Sequence, residues 1–391
     1  MAAAARRGRP GFGRDAPPGA GADHRDRSLW SGGADRAAAE RPMKGSAMAA
    51  RRHGRGMALM VVLLVVALIS LIATHLGSLV QLNIQQAANR EQYQQAYWFA
   101  LGGERLARKL LESALKTDKL THPRQAWADP RLSYPIDGGV IRIRIQDQNA
   151  CFNLNALTTL NTPQDASQTK EPLLLRQFVR LLVELGADES QTAQLVEPLR
   201  DWLDNDTLPT GLKGAEDLFY TGLEPAYLPA NGPLADPTEL HFIDGFRQLA
   251  AKARDDEQGF LKRLRPYLCA LPGTKLLVNV NSLGPEQAPL LSALFEGQVP
   301  FGLLTQWLSE RPAEGFRSVD EFWALLTQSG DDTLSTDVDA AVKTQLKVSS
   351  EFFLARIEVD YHDANLVLLS RIQMRNGTSA VYQRHYGALD E

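Results

Sequence analysis

The chain lacks the short motifs that announce most catalytic sites. It has no His-Glu-x-x-His, no Gly-x-Ser-x-Gly and no P-loop, and its seven His residues are scattered. His241, His362 and His385 read as surface or half-buried side chains, and no enzymatic activity is expected. Charge of one sign is lacking too. The 42 Lys plus Arg stand against 46 Asp plus Glu, a net charge of -4, which argues against a dedicated nucleic-acid binder. Collagen-like repetition is absent. Cysteine is scarce, with only Cys151 and Cys269. At 391 residues, with about 150 per domain, the chain has room for two or three domains and a substantial buried core.

The near-neutral total conceals a partition. Residues 1–56 hold 12 Lys or Arg and 5 Asp or Glu, a net +7, whereas the remaining 335 residues carry -11. From Met1 to about Pro42 the chain is Ala, Gly, Arg, Pro and Asp with almost no large apolar side chains, too little to offset its ordering entropy. Residues 1–56 are therefore expected to be a disordered leader. Translation is expected to begin at Met43 or Met48, and the second start leaves a short basic leader ending in Gly56.

Between Arg55 and Arg90 no residue of fixed charge occurs. Residues 57–80 form a predominantly apolar run, long enough at 1.5 Å per residue to cross about 30 Å of hydrocarbon. A cleaved signal peptide would carry a shorter apolar region ending in a small-x-small site. Arg51, Arg52 and Arg55 flank the start of the run. The positive-inside rule holds that end in the cytoplasm and sends the acidic body across the membrane. Helical periodicity continues beyond the membrane to about Lys116. Tyr93, Ala96, Tyr97, Ala100, Leu101, Leu106 and Leu110 recur at spacings of three and four, with a slip across Gly102-Gly103.

These residues carry a resemblance. A short basic leader ending in Gly56, an apolar helix opening directly at Met57 and an amphipathic continuation resemble a type IV prepilin-like protein. Family members have Phe at the first mature position and Glu at the fifth; here Met57 and Val61 stand there. Within that class the missing acid resembles the GspK family of minor pseudopilins of type II secretion systems. The resemblance implies cleavage between Gly56 and Met57 and methylation of Met57 by prepilin peptidase. In other pilins the acid pairs with the first amine of a neighbouring subunit, so a subunit without it suits a filament tip. An unpaired acid at that depth would also cost several kcal/mol.

In the body, Gly139 to Gln146 alternates Ile141, Ile143 and Ile145 against Arg142, Arg144 and Gln146, which predicts a strand. From about Lys347 the style returns. Ala355, Ile357, Val359 and Tyr361 alternate with charged residues, Leu366 to Arg375 is a further strand, and Asn376-Gly377 predicts a hairpin into Ala380 to Tyr386. About 200 residues of mostly helical pattern lie between. The expected fold is α+β: a pilin-like long N-terminal helix packed on a small antiparallel sheet of about four strands, with a large all-α domain inserted. The expected organisation is a leader (1–56), a transmembrane helix (57–80), the pilin helix and first strand (81–150), the inserted helical domain (151–345) and C-terminal strands (346–391). Phe152-Asn-Leu-Asn-Ala-Leu157 and Val278-Asn-Val-Asn-Ser-Leu283 share Asn-x-Asn-x-Leu, where Asn is expected to cap the following helix. The pair resembles the two sterile-alpha-motif-like units of the GspK family. It also resembles the opening of helix-hairpin-helix modules, so a membrane-anchored DNA receptor is the alternative. The Gly-poor helices and acidic body weigh against that alternative.

If the body faces an oxidising periplasm, Cys151 and Cys269 are expected to form a disulfide. The segment from Glu197 to Tyr220 gathers Asp201, Asp204, Asp206, Glu216 and Asp217 around a loop containing Pro and Gly. Hard oxygen ligands of this kind suit calcium, although the spacing is not that of an EF-hand. On residues alone, a solvated acidic loop fits as well. The resemblance implies structural calcium at these five carboxylates. It further implies a single-pass inner-membrane protein that partners other minor pseudopilins and prepilin peptidase, contacts secreted substrates and binds no nucleic acid.

Overall fold

A computed structural model of the chain describes residues 54–161, 171–252, 259–328 and 336–387. Both start sites, Met43 and Met48, and all of the expected leader before Gly54 lie outside the described residues. The chain divides into two units, Met1–His75 and Leu76–Glu391.

Helix α1 is assigned to Gly54–Thr117. Unbranched and small apolar residues, with no proline, favour one continuous helix. In the first unit its apolar side chains all face outward, with Met57 70%, Val61 61% and Leu64 68% exposed. The helix from Met57 is long and apolar enough to cross a membrane. Its most apolar stretch has a mean hydropathy of 2.9 and no buried residue. Such a surface is stable only in a nonaqueous surrounding.

In the second unit the same helix acquires a buried seam of Ala96, Ala100, Gly103, Glu104, Ala107 and Leu111. The seam runs through Gly103, and the helix continues there without a break. A Cβ at Gly103 would sit 2.7 Å from Ile357 Cγ2, so glycine is required by the close approach of helix and sheet. The seam is built of smaller residues than the expected stripe, whose Tyr93 is exposed.

Strands β1 (Ser133–Ile136) and β2 (Gly139–Asp147) form the first hairpin. The insertion then opens at β3 (Phe152–Asn153) and contains α2 (Leu173–Glu184), α3 (Ala193–Leu203), α4 (Asp217–Thr221), α5 (Phe246–Lys252) and α6 (Phe260–Leu264). It continues through β4 (Leu268–Cys269) and β5 (Val278–Asn279) to α7 (Ala288–Leu294), α8 (Phe301–Ser309), α9 (Val319–Gln328), α10 (Thr336–Gln345) and β6 (Leu346–Lys347). The chain returns to the sheet with β7 (Phe352–Tyr361), β8 (Ala364–Arg375) and β9 (Thr378–Tyr386).

The main sheet is antiparallel with order β1-β2-β7-β8-β9. It has five strands rather than about four. The additional β1 holds Pro135, which cannot donate to a ladder and belongs on an edge, so its short run carries little strand signal. Asn376 and Gly377 adopt φ of 52° and 75°, the left-handed pair a tight hairpin needs. Ile143, Ala355, Ile357 and Val359 are fully buried against the seam of α1, each large aliphatic side chain contributing about 1.5–3 kcal/mol.

The expected cap holds for one Asn-x-Asn segment only: Asn153 directly precedes the 3-10 helix Leu154–Asn161, whereas Asn279 opens a turn and Gly284 stands at the N-cap of the next helical turn. Asn153 and Asn279 each accept from the amide two residues on, a short-range turn bond. Asn155 then grips both the N–H and the C=O of Leu234 at 2.8 and 2.9 Å, and Asn281 grips those of Phe316 at 2.7 and 3.0 Å. All four Asn residues are at most 2% exposed. Each segment also enters a two-residue parallel bridge, β3 with β4 and β5 with β6, which closes its helical unit. Asn279 Nδ2 further donates to Asp147 Oδ2 at 3.0 Å, joining the insertion to the end of β2.

Candidate cation-binding loop

Helix α3 turns Leu195, Val196, Leu199, Trp202 and Leu203 into the insertion core. That orientation places Glu197 and Asp201, four residues apart, beneath the following loop. Asp201 Oδ1 accepts from Thr210 N at 2.8 Å, and Glu197 Oε2 accepts from Lys213 N at 2.6 Å. Gly211 has φ +66°, and a Cβ at Gly214 would meet Asp201 Oδ2 at 2.4 Å, so the loop wraps the carboxylates closely at both glycines. Trp202 meets Tyr220 edge-on at 5.3 Å, and Tyr220 lies tilted against Tyr227 at 5.4 Å, which forms an aromatic floor. Burial pushes the Tyr220 hydroxyl pKa up, and its oxygen accepts from Asp244 N at 3.2 Å.

Asp204 caps the C-terminus of α3 and Glu216 stands at the N-cap of α4. One oxygen from each of Asp204, Asp206 and Glu216 lies within 4.8 Å of the others. Asp206 is exposed, and its Oδ1 accepts from Leu208 N at 2.8 Å. Asp204 is 8% and Glu216 4% exposed. Asp204 Oδ1, Asp201 Oδ2 and both Glu216 oxygens are buried without a hydrogen-bond partner. Unpartnered buried carboxylate oxygens are costly, and the carboxylates of Asp204 and Glu216 converge here. Burial, then the charges of Asp206 and Asp201, raise Asp204 to about 6. Burial, then Asp201, Asp204, Asp206 and Asp217, raise Glu216 to about 7. Burial also raises Asp201.

Of the five carboxylates singled out from the sequence, three are thus brought together. Asp201 lies beneath the loop, and Asp217 meets Asn231 Nδ2 at 3.4 Å, both outside the group of three. Glu197 was missed as a loop support. Its spacing of four from Asp201 on a helix was the available signal. The one expected bridge, Cys151–Cys269, is formed, with Cα atoms 5.8 Å apart across a separation of 118 residues. His241, His362 and His385 are exposed, whereas His122, not singled out, is buried. Gly56 lies within α1, and the Met57 side chain is not covered by the rest of the chain.

A helix-on-sheet core and a helical insertion with an acidic loop define a pilin-like α+β protein, and its N-terminal helix is long and apolar enough to fit a single-pass membrane anchor. Two family models described as type II secretion system (T2SS), protein K match residues 150–273 and 278–348. Type II secretion system protein K of Klebsiella pneumoniae is 37% identical over 334 residues, covering 85% of this chain and 96% of that one. Its counterpart from Pseudomonas aeruginosa is 36% identical over 345 residues, covering 86% and 94%. Among solved structures, a chain of the GspK-GspI-GspJ complex from enterotoxigenic Escherichia coli matches with a TM-score of 0.66 and 30% identity, over 78% of this chain and 99% of that chain. The chain belongs to the type II secretion system protein K family.

Proposed function

We propose that this chain is the minor pseudopilin at the tip of a type II secretion pseudopilus, a non-enzymatic subunit that supports export of folded proteins across the outer membrane. The observation that carries the reading is the likeness to nearly the whole of a chain solved together with GspI and GspJ. Other minor pseudopilins are accordingly its proposed partners. Val61 supports the tip position, because an apolar fifth residue offers no acid for the amine of a subunit above. Prepilin peptidase is proposed to cleave between Gly56 and Met57 and methylate the new amine. The flanking Arg51, Arg52 and Arg55 then hold the leader in the cytoplasm, and the acidic body occupies the periplasm. The DNA-receptor alternative gains no support, since the Asn side chains of its motif are consumed in internal bonds.

Calcium is the proposed structural cation of the acidic loop. The fit rests on the convergent, unpartnered oxygens of Asp204 and Glu216 beside exposed Asp206. A hard dication that accepts several oxygens in flexible geometry neutralises such a group. Asp204, Asp206 and Glu216 would hold it directly, while Asp201 and Glu197 hold the loop that brings them together.

The test is mass spectrometry of the mature chain from cells with active prepilin peptidase, with co-purification of GspI and GspJ. An N-terminus at methylated Met57 and a recovered complex are expected. An intact Gly56–Met57 junction, or a mature chain that fails to associate with both partners, overturns the proposal.

A further inference from the structure

Outside α1, the exposed large hydrophobic side chains among the described residues are concentrated in one segment of the chain. Of eight, six lie between positions 208 and 242: Leu208, Leu212, Leu218, Phe219, Leu228 and Phe242. Leu212 is 97%, Leu218 89% and Leu208 75% exposed, so these side chains contribute almost nothing to the chain's own core. Their presentation is held by structure. Leu208 N is tied to Asp206, and the bonds from Thr210 N to Asp201 and from Lys213 N to Glu197 flank Leu212. Phe219 packs on Tyr220 at 5.2 Å, and Phe242 packs on Tyr227 at 6.0 Å. Apolar patches rimmed by polar groups mark interaction surfaces.

The charge around these residues selects the occupant. The segment from Asp201 to Gly245 holds nine Asp or Glu and one Lys, a net -8; Asp236 and Asp244 pair with Arg371 and Arg247 from outside it, and one divalent cation would still leave a net -4. Two copies meeting through this face would oppose like charges, and an anionic bilayer meets the same objection. We propose that this surface docks a protein partner whose contact face is an apolar helix stripe bordered by Lys and Arg. The protruding leucines are its anchors, and the acidic rim, including Asp217 and exposed Glu224, steers the approach. The assignment stands on exposure and charge and is independent of the tip-subunit reading.

The test uses the full chain in phosphatidylcholine nanodiscs in calcium-containing buffer, with a fluorescent amphipathic helix of Leu and Lys as probe and its Leu and Glu counterpart as control. The Leu–Lys helix is expected to bind the wild type at least about tenfold more tightly than the Leu208→Ser/Leu212→Ser/Leu218→Ser chain. The difference should shrink in high salt and in Glu224→Lys, while the control helix shows no preference. Side chains this exposed can be replaced without loss of the fold, which unchanged thermal melting verifies. Equal affinity of wild type and triple variant overturns the proposal, as does a preference shared by the Leu–Glu helix. So does adhesion to phosphatidylglycerol vesicles that disappears in the variant, because the face would then be lipid-directed.

Discussion

Raising the pH of the cation-free protein should destabilise it, opposite to the usual behaviour of paired carboxylates. Glu216 is held at about 7 against an ordinary 4.5, and Asp204 at about 6 against 3.8. A folded-state value above the unfolded one means that the native state binds more protons between the two, so stability falls as pH rises through that window. Each displacement taken alone corresponds to about 3 kcal/mol. The two groups repel one another, so their effects overlap, and the pair together is worth about 3–4 kcal/mol. Asp201 and Asp147, also raised by burial, act in the same direction. Glu112, lowered to about 2 chiefly by its bond from Ser379, changes charge at lower pH and leaves the window undisturbed. At about 2–4 °C per kcal/mol, the melting temperature of EDTA-treated protein should fall by about 6–16 °C from about pH 5 to about pH 7.5. Calcium should abolish most of that fall. The assay is thermal unfolding of the full chain in nanodiscs, followed by tryptophan fluorescence, since Trp202 floors the loop. Glu216→Gln supplies a second sign: without cation at about pH 7.5 it should be more stable than wild type by about 1–3 kcal/mol, while losing the calcium response. A melting temperature that stays level or rises with pH in EDTA would refute the reasoning, as would a Gln variant no more stable than wild type.

Four further outcomes follow from the packing. Opening Cys151–Cys269, by Cys269→Ser or by reduction, should cost about 4–5 kcal/mol in denaturant unfolding, because the bridge closes a separation of 118 residues. Glu104→Gln should lower stability by about 3 kcal/mol, since the acid is 2% exposed and accepts from Arg384 at 2.6 and 2.8 Å and from Ser370 at 2.7 Å. Asn281→Ala should cost about 2–3 kcal/mol by stranding both backbone groups of Phe316, with faster hydrogen exchange there than near Leu234; Asn155→Ala should reverse the pattern. Gly103→Val should cost about 1–3 kcal/mol or more by forcing α1 away from Ile357, measured as a lower denaturant midpoint.

Much of this architecture was readable because it depends on local pattern. A charge-free run flanked by arginines, alternating isoleucines in β2 and the Asn376-Gly377 turn each carry their meaning within a few residues. The strand at Ser133–Ile136 was not readable, because four residues containing a proline have no periodicity to detect. The helix seam was misjudged at Tyr93 because a stripe of spacing three and four does not reveal how close the sheet comes. Only a close approach makes alanine and Gly103 preferable to larger side chains. The Asn-x-Asn repeat was visible as a repeat, but its bonds reach 35 to 158 residues away, and no local rule specifies such partners.

The acidic loop divides in the same way. Its composition, and the suitability of carboxylates for a hard cation, belong to the sequence, as do the anchor and the single pair of cysteines. Which carboxylates converge was decided by the tertiary structure: helix α3 buries Asp201 under the loop, the aromatic floor sets the start of α4, and Asp204 and Glu216 meet only because both helix ends rest on that floor. Charge, periodicity and turn chemistry act between near neighbours and can be read along the chain. Burial, like-charge crowding and exposed apolar faces are properties of what folding brings together, and they exist only once the chain has closed on itself.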